Sequence, residues 1–597
     1  MSGPTASALY STAPSGSSFP HRLPHFFERV LDHQSSLALV ETRSLPAAVT
    51  APANDRQGEW KYAQLLVQAL ELRDELLIEL KAKKHDDQHQ PHIAFLGERG
   101  VSYVTILWAI WLAGAVAVPL HHRHPIEELE YILTNSEAAM LVASESFLES
   151  HLGEFLTDLP SSSVGIPVHI HTTKAASSVS TGAELKNELS AKEADEIRQW
   201  VETQDLHAAG AHIVYTSGTT GRPKGVVTTH ANLTAQIHDI VSAWKMSKHD
   251  HLLHFLPLHH VHGVLNNLLC VHYAGGSLEF LSSAQPQLIW SKLGESLESP
   301  KPVTMLMAVP TVYMLLLEEI ERAQQDASLS SSLSDGNQQT SFAIEQAIQA
   351  ARGLRVAISG SMACPVSILN RWQVLTGERL LERYGMTELG MVLTNPLHGE
   401  RHLGYVGQSF PSVSVRLVDP ETEEEIDLSS EREGELRVKG PTVFKEYWKK
   451  PEATEKEFDQ DGWFKTGDIA QFSNERQSFR IRGRASADIM KSAGYKISAL
   501  DVERVLLTHP QVQECAVFGL PDEKWGQVVA GLIRSSSPSL ERPDQFSPPL
   551  SEFMKSHLAD YAVPREYFFA SEIPKNAMGK VNKKSLAAIF QKEQSLP

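Results

Sequence analysis

The chain has only three cysteines in 597 residues, Cys270, Cys364 and Cys515, far apart and each in an apolar setting. That excludes a disulfide framework and a thiolate zinc site, and the thiols are expected to be buried in a protein of a reducing compartment. Charge is also sparse and one-sided. Charged residues make up 21% and the formal net charge is -18, which argues against general nucleic-acid binding and against an anionic membrane surface. Any anionic substrate has to be met by a local cluster of cations. One uncharged run, Val101 to Leu120, is long enough to suggest a membrane span. Gly114 and Pro119 interrupt it, and the pattern suits a buried helix leading into a buried strand. The first 27 residues contain no Asp or Glu and are rich in Ser, Ala and Pro. Such a stretch fits either a mitochondrial presequence, with Arg22 as its one arginine, or a plain tail.

What is present points to a large globular protein. A hydrophobic fraction of 42% over 597 residues exceeds one compact core, so a large multi-layer region plus at least one smaller domain is expected. The central stretch is Tyr215-Thr216-Ser217-Gly218-Thr219-Thr220-Gly221-Arg222-Pro223-Lys224-Gly225, after the apolar run Ile213-Val214-Tyr215. Glycines let backbone N–H groups approach anionic oxygens, hydroxyls donate further, and Arg222 and Lys224 neutralise charge. The spacing is not that of a P-loop, yet the string suits polyphosphate and is expected to hold a nucleoside triphosphate.

From about Phe26 to Leu206 helical stretches alternate with short apolar strands, the pattern of an α/β layer, as in Tyr62 to Lys81 followed by His92-Ile93-Ala94-Phe95-Leu96. Thr172 to Thr181 looks like a surface insertion, and Val226 is expected to start a helix running to about Trp244. Leu256-Pro257-Leu258-His259-His260-Val261-His262-Gly263 carries three histidines, which with no Cys or carboxylate at ligand spacing favour pocket lining over a metal site. Ser328 to Thr340 has the composition of a loop. A strand ends in the small-residue turn Ser359-Gly360-Ser361, and another, Arg379 to Glu382, delivers Arg383-Tyr384-Gly385-Met386-Thr387-Glu388. The acidic hairpin around Glu421 to Glu433 is expected to be solvated. Phe464-Lys465-Thr466-Gly467-Asp468 and Ile481-Arg482-Gly483-Arg484 precede a boundary, and a β-α-β-like stretch ends in the basic segment Lys575 to Lys584.

This ordered set of strings resembles the adenylate-forming superfamily of acyl-CoA synthetases, peptide-synthetase adenylation domains and luciferases. Within it the chain is most similar to the malonyl-CoA and methylmalonyl-CoA synthetases of the eukaryotic mitochondrial type, through Leu256 to Val264, Leu381 to Glu388, Phe464 to Asp468 and Ser492 to Leu500. The resemblance implies an α/β fold in which a large N-terminal domain of packed sheets with a small β-barrel carries a mobile α+β lid. The expected division is a tail or presequence over 1–27, an AMP-binding domain over 28–484 and the lid over 485–597. It also implies two steps. A carboxylate attacks the α-phosphate of ATP, giving acyl-AMP and pyrophosphate, and a thiol then displaces AMP to give a thioester. Positioning and charge neutralisation dominate the first step.

The roles implied by the resemblance fall on particular residues. Thr216, Ser217, Gly218, Thr219, Thr220, Gly221 and Lys224 hold the β- and γ-phosphates. Glu388 coordinates Mg²⁺, with the Thr216 and Thr387 hydroxyls close by. Asp468 accepts from the ribose hydroxyls with Arg484 assisting, while Tyr384 and the Ser359-Gly360 turn flank the adenine. Lys580, from the lid, bridges carboxylate and α-phosphate, and the lid then turns so that Lys491 and Gly494 line the pantetheine tunnel, hinging within Ala485 to Asp488. Lys580, Glu388 and His260 form the candidate catalytic set.

No carrier domain follows the lid, so the expected acceptor is CoA. A malonate-type acid needs partners for its distal carboxylate, and His260, His262 and Ser361 are the candidates. The resemblance places an arginine of bacterial malonyl-CoA synthetases where this chain has Leu315, and an apolar residue there favours a short- or medium-chain monocarboxylate. Retention of Lys580, Glu388 and Asp468 weighs against a non-catalytic nucleotide-binding protein.

Overall fold

The computed structural model describes residues 25–41, 58–82, 90–173, 188–216, 222–329, 336–492, 495–522, 524–575 and 581–594. Two mostly parallel sheets dominate the N-terminal domain. One has nine strands, with a parallel run Leu381–Met386, Val356–Ser359, Met305–Ala308, His251–His254, Ser277–Phe280, Leu37–Glu41 and antiparallel strands at both edges. The other has seven, with Gly210–Thr216, Val116–Pro119, His92–Leu96, Met140–Ser144 and Val168–His171 parallel, and Lys224–Thr229 antiparallel to Gly210–Thr216.

Side-chain alternation explains the layering. Leu252, Met305 and Met307 point into the same core as Ile93, Phe95 and Met140, so the two sheets share a middle layer. Their neighbours Leu253, Leu306 and Ala308 face a second core, and Ala94, Leu96 and Leu141 a third. Strands covered on both faces read as continuous apolar runs, as parallel strands do. The middle layer holds the helix Val101–Leu112, whose every residue is buried. The uncharged run is thus a buried helix followed by the buried strand Val116–Pro119. Among the described residues no helix is long and apolar enough to cross a membrane.

A five-stranded antiparallel sheet follows, in the order Glu425–Ile426, Ser414–Val418, Gly434–Lys439, Phe464–Ser473, Ser478–Arg484. It stands where the small barrel was expected. The smaller C-terminal domain has a three-stranded sheet, Val512–Asp522, Gly526–Ser535 and Glu566–Phe569, a two-stranded ribbon, Ile489–Ser492 with Tyr495–Ser498, and helices including Ala499–Leu506 and Lys583–Gln594.

Three sequence expectations are corrected. Val226 to Thr229 is not helical: these β-branched residues complete the strand Lys224–Thr229, and the helix is His230–Ala243, capped by the Thr229 hydroxyl accepting from the Asn232 N–H at 3.1 Å. Of the stretch Ser328 to Thr340, the described residues 328–329 and 336–340 are helical, in Pro310–Leu329 and Gly336–Arg352. The strand expected over Arg379 to Glu382 is Leu381–Met386 and therefore includes Tyr384. The proposed insertion lies outside the described residues beyond Thr173. Cys270 and Cys364 are buried, Cys515 is half-buried, and all three are free.

Candidate active site

A cleft of about 2830 Å³ opens where strands of both large sheets end at their carboxyl termini and the C-terminal domain covers them. Leu96, Leu120, Thr216, Leu256, Leu281, Val309 and Ser359, each at or just past a strand end, contribute to its wall. Glu503, Arg504, Lys575, Val581, Asn582 and Lys583 line it from the C-terminal domain.

Asp468 and Arg484 face each other on adjacent strands, in register. The Arg484 Nε donates to Asp468 Oδ1 at 2.9 Å, and the Tyr384 hydroxyl donates to Oδ2 at 2.6 Å. Burial works against the Arg484 charge, but the Asp468 carboxylate outweighs it and holds the guanidinium's pKa above its ordinary value. The Tyr384 phenol is raised as well, first by burial and then by Asp468. Tyr384, expected as an adenine platform, thus also buttresses the proposed ribose carboxylate.

Glu388 sits in the buried turn between Leu381–Met386 and Gly390–Thr394. Tyr447, from a two-residue strand on the opposite sheet, donates to Glu388 Oε1 at 2.8 Å. Burial pushes the Glu388 pKa up, although that hydrogen bond and the Arg484 charge pull the other way. Among the described residues no ion pair engages this carboxylate. Lys224 lies 4.3 Å from the Tyr447 ring centroid and 3.6 Å from Glu457. Thr216 pairs with Lys224 at the mouth of the hairpin, and Thr216 and Thr387 both line the cleft. Ser217, Gly218, Thr219, Thr220 and Gly221, which follow Thr216 in sequence, lie outside the described residues, as do Gly494 and Lys580. The chain on both sides of Lys580 reaches the cleft, at Lys575 and Val581.

The small-residue turn is shaped by one neighbour. A Cβ on Gly360 would stand 2.4 Å from Arg383 Cζ, so only glycine lets the guanidinium lie against this backbone. Ser361 adopts φ +71 and its hydroxyl is 3.2 Å from His262 Nδ1. Arg383 is 5% exposed, lines the cleft, and its Nε and Nη2 have no hydrogen-bond partner among the described residues. Burial lowers its pKa to about 9, which leaves it cationic at neutral pH. His262 is held neutral, well below the usual imidazole value, by burial and by the Arg383 charge. At this wall of the cleft a positive charge is therefore available from Arg383 and not from His262. Sequence reasoning quoted Arg383 inside a motif but gave it no role; the available signal was two adjacent charged residues, Glu382 and Arg383, in a strand of a mostly apolar sheet.

The histidine-bearing turn is tightly fixed. A Cβ on Gly263 would meet the Pro257 carbonyl oxygen at 2.0 Å, and the Tyr103 hydroxyl donates to the Leu258 carbonyl at 2.7 Å. His260 packs at a tilt against His259, with centroids 3.9 Å apart, and lines the cleft. Two expected residues are not brought there. Lys491 is exposed and its ammonium lies 4.0 Å from Glu421, beside Lys496 at 3.0 Å. The acidic hairpin is therefore partly paired: Glu423 also accepts from the buried Arg437 at 2.6 Å. Leu315 is 42% exposed and does not line the cleft, whereas Thr311, Val312 and Met314 do. Its apolar character does not bear on the acid.

The chain matches the AMP-binding enzyme model over residues 39–448 and the AMP-binding enzyme C-terminal domain over 501–580. The chain belongs to the AMP-binding enzyme family. The resemblance to AMP-forming acyl-CoA synthetases is borne out. This AMP-binding enzyme is 39% identical to the mitochondrial malonate–CoA ligase of Xenopus laevis over 561 residues, 90% of this chain and 89% of that protein. Among solved structures it is similar to ATP-bound MatB from Rhodopseudomonas palustris, with a TM-score of 0.74, 27% identity, and coverage of 95% of this chain and 99% of that one. A malonyl-CoA ligase with methylmalonyl-CoA and AMP bound aligns at 27% identity over 95% and 99% of the two chains, with a TM-score of 0.57.

Proposed function

We propose that this AMP-binding enzyme joins malonate or methylmalonate to CoA at the expense of ATP, through an acyl-AMP. The observation that carries the choice of acid is Arg383: a buried guanidinium at the cleft wall, with donors unclaimed among the described residues, beside a neutral His262 and the Ser361 hydroxyl. A dianionic acid supplies the charge that such a group otherwise lacks, whereas an alkyl chain would leave it buried and unpaired. The names of the relatives point the same way.

In the proposed first step one carboxylate oxygen of the acid attacks the α-phosphorus and the bond to pyrophosphate breaks. Arg383 holds the distal carboxylate, with Ser361 and His260 beside it, and orients the reacting carboxylate towards the phosphate hairpin. Thr216 and Lys224 take the polyphosphate, Asp468 and Arg484 the ribose, and Tyr384 with Ser359-Gly360 the adenine. Lys580 bridges the two anions as they meet. In the second step the CoA thiolate attacks the acyl carbon and AMP leaves. The Glu388 carboxylate with the Thr216 and Thr387 hydroxyls offers an all-oxygen set suited to Mg²⁺, and a buried carboxylate with no ion pair among the described residues fits that use. The ion would add positive charge to the phosphates when bound.

We assign the hinge to the turn after Arg484, with residues 485–597 as a mobile lid and Lys491 and Gly494 exchanging places with Lys580 between steps. The higher TM-score to the ATP-bound structure than to the product complex, 0.74 against 0.57, supports the first-step orientation here. The acid-free N-terminal stretch, together with the location in the name of the Xenopus relative, favours the mitochondrial matrix. CoA-dependent AMP release from malonate, methylmalonate, butyrate and octanoate tests the reading. The dicarboxylates are expected to win clearly, and a preference for octanoate would sink the assignment.

A further inference from the structure

We infer that this protein binds one divalent transition-metal ion, of the Zn²⁺, Co²⁺ and Ni²⁺ class, through His121, His124 and His259 at the wall of the cleft. Each of the three imidazoles offers a ring nitrogen, and these nitrogens lie within 4.8 Å of one another. His121 and His124 come from the turn after the strand Val116–Pro119 of the seven-stranded sheet. His259 comes from the turn after His251–His254 of the nine-stranded sheet. The site therefore joins two elements that no strand pairing connects.

Three features favour a ligand over simple lining. The rings are gathered tightly: His121 stacks on His259 at 4.1 Å between centroids, and His124 meets His259 edge-on at 5.3 Å. The Nδ1 of His124 is buried with no hydrogen-bond partner, a cost that a bond to a metal would remove. Burial lowers the pKa of all three imidazoles below the ordinary value, against the pull of Glu128 on His124, which favours the neutral form a metal binds. Neutral imidazole sets suit zinc, nickel and copper more than magnesium or calcium.

The geometry also says how the ion would be held. Tetrahedral coordination with Zn–N bonds of about 2.0–2.1 Å needs ligand atoms roughly 3.3 Å apart, so the turn carrying His121 and His124 must draw towards His259 by up to about 1.5 Å. His121 and His259 line the cleft, which leaves a fourth position open towards it, the arrangement of an exchangeable site. Arg123, the nearest cation in sequence, has an exposed side chain and is screened by water. In the sequence, His259, His260 and His262 drew attention as a trio. His260 stays against His259, His262 turns to Ser361, and His259 gains two further partners from the string His121-His122-Arg123-His124.

The test is a Co²⁺ titration of the tag-free full-length chain, read by visible d–d absorption, with Zn²⁺ competition and melting temperature as second readouts. One equivalent of Co²⁺ is expected to give a saturable tetrahedral spectrum that Zn²⁺ abolishes, with a rise in melting temperature on binding. His124→Gln and His121→Gln should each lose the spectrum while melting like wild type without metal, and His398→Gln, outside the cluster, should keep it. Absence of a saturable spectrum in wild type, or its survival in both variants, would overturn the proposal. Neither readout depends on the acid the enzyme uses.

Discussion

The Lys583 ammonium lies 2.6 Å from Asp488 Oδ1 and 2.7 Å from Glu503 Oε1, tying the last helix of the chain to the turn after Arg484. Asp488 also accepts from the Arg484 backbone N–H at 3.0 Å, so one carboxylate couples the turn to the residue that holds Asp468. The two ends of the clamp respond differently to burial. Burial raises the Glu503 pKa despite Lys583, whereas the carboxylates hold Lys583 above its ordinary value despite burial. Lys583→Met would strand two partly buried carboxylates and should cost about 3 kcal/mol in the C-terminal domain. Urea unfolding followed through Trp525, the one tryptophan beyond Arg484, measures it.

Lys580 is separable from this clamp. Lys580→Ala should slow acyl-AMP formation from acid and ATP by about 100-fold or more, while thioester formation from supplied acyl-AMP stays near wild type. Parallel assays of the two half-reactions decide it, since equal losses would remove the adenylation role.

Arg383→Met tests the acid site. Removing one member of a buried charge pair costs about 2–5 kcal/mol, so kcat/KM for malonate should fall roughly 30-fold or more. Butyrate, with no distal carboxylate, should be used as well as before or better. A steady-state comparison of the two acids reads the difference, and an equal fall for both would point to a disturbed adenine turn instead.

Glu382 gives a pH signature. Burial raises its pKa from 4.5 to about 7, opposed by the Arg504 charge across the domain contact. Between those values the folded protein binds more protons than the unfolded chain, so this group's contribution falls as pH rises from about 4.5 and is fully lost above about 7. The whole effect is at most about 3 kcal/mol. Thermal melts of wild type and Glu382→Gln between pH 5 and 8 should differ in slope, the variant being flatter.

Much of this was legible because local chemistry announces itself. The buried helix Val101–Leu112 and the strand His92–Leu96 follow from apolar runs and their interruptions. Asp468 and Arg484 are brought together at the ribose by the family resemblance, although only the register shows them facing. What stayed hidden depends on distant contacts. Tyr447 reaches Glu388 from another sheet, 59 residues away, and nothing in its neighbourhood marks it. Val226 to Thr229 misled because a short β-branched run before a helix carries no boundary except its cap. Leu315 misled because position after a motif does not say which way a helical side chain points.

The closure of Gly263 against Pro257 has a consequence for how acid preference can drift. A turn that admits no extra atom cannot yield, so the imidazoles it carries form a rigid jaw. On the proposed reading, an enlarged acyl group is taken up instead by Val312 and Met314, which line the same cleft from the helix Pro310–Leu329. Trimming or lengthening those two side chains is the natural dial for acyl size, while changes to the histidine-bearing turn would break the jaw itself.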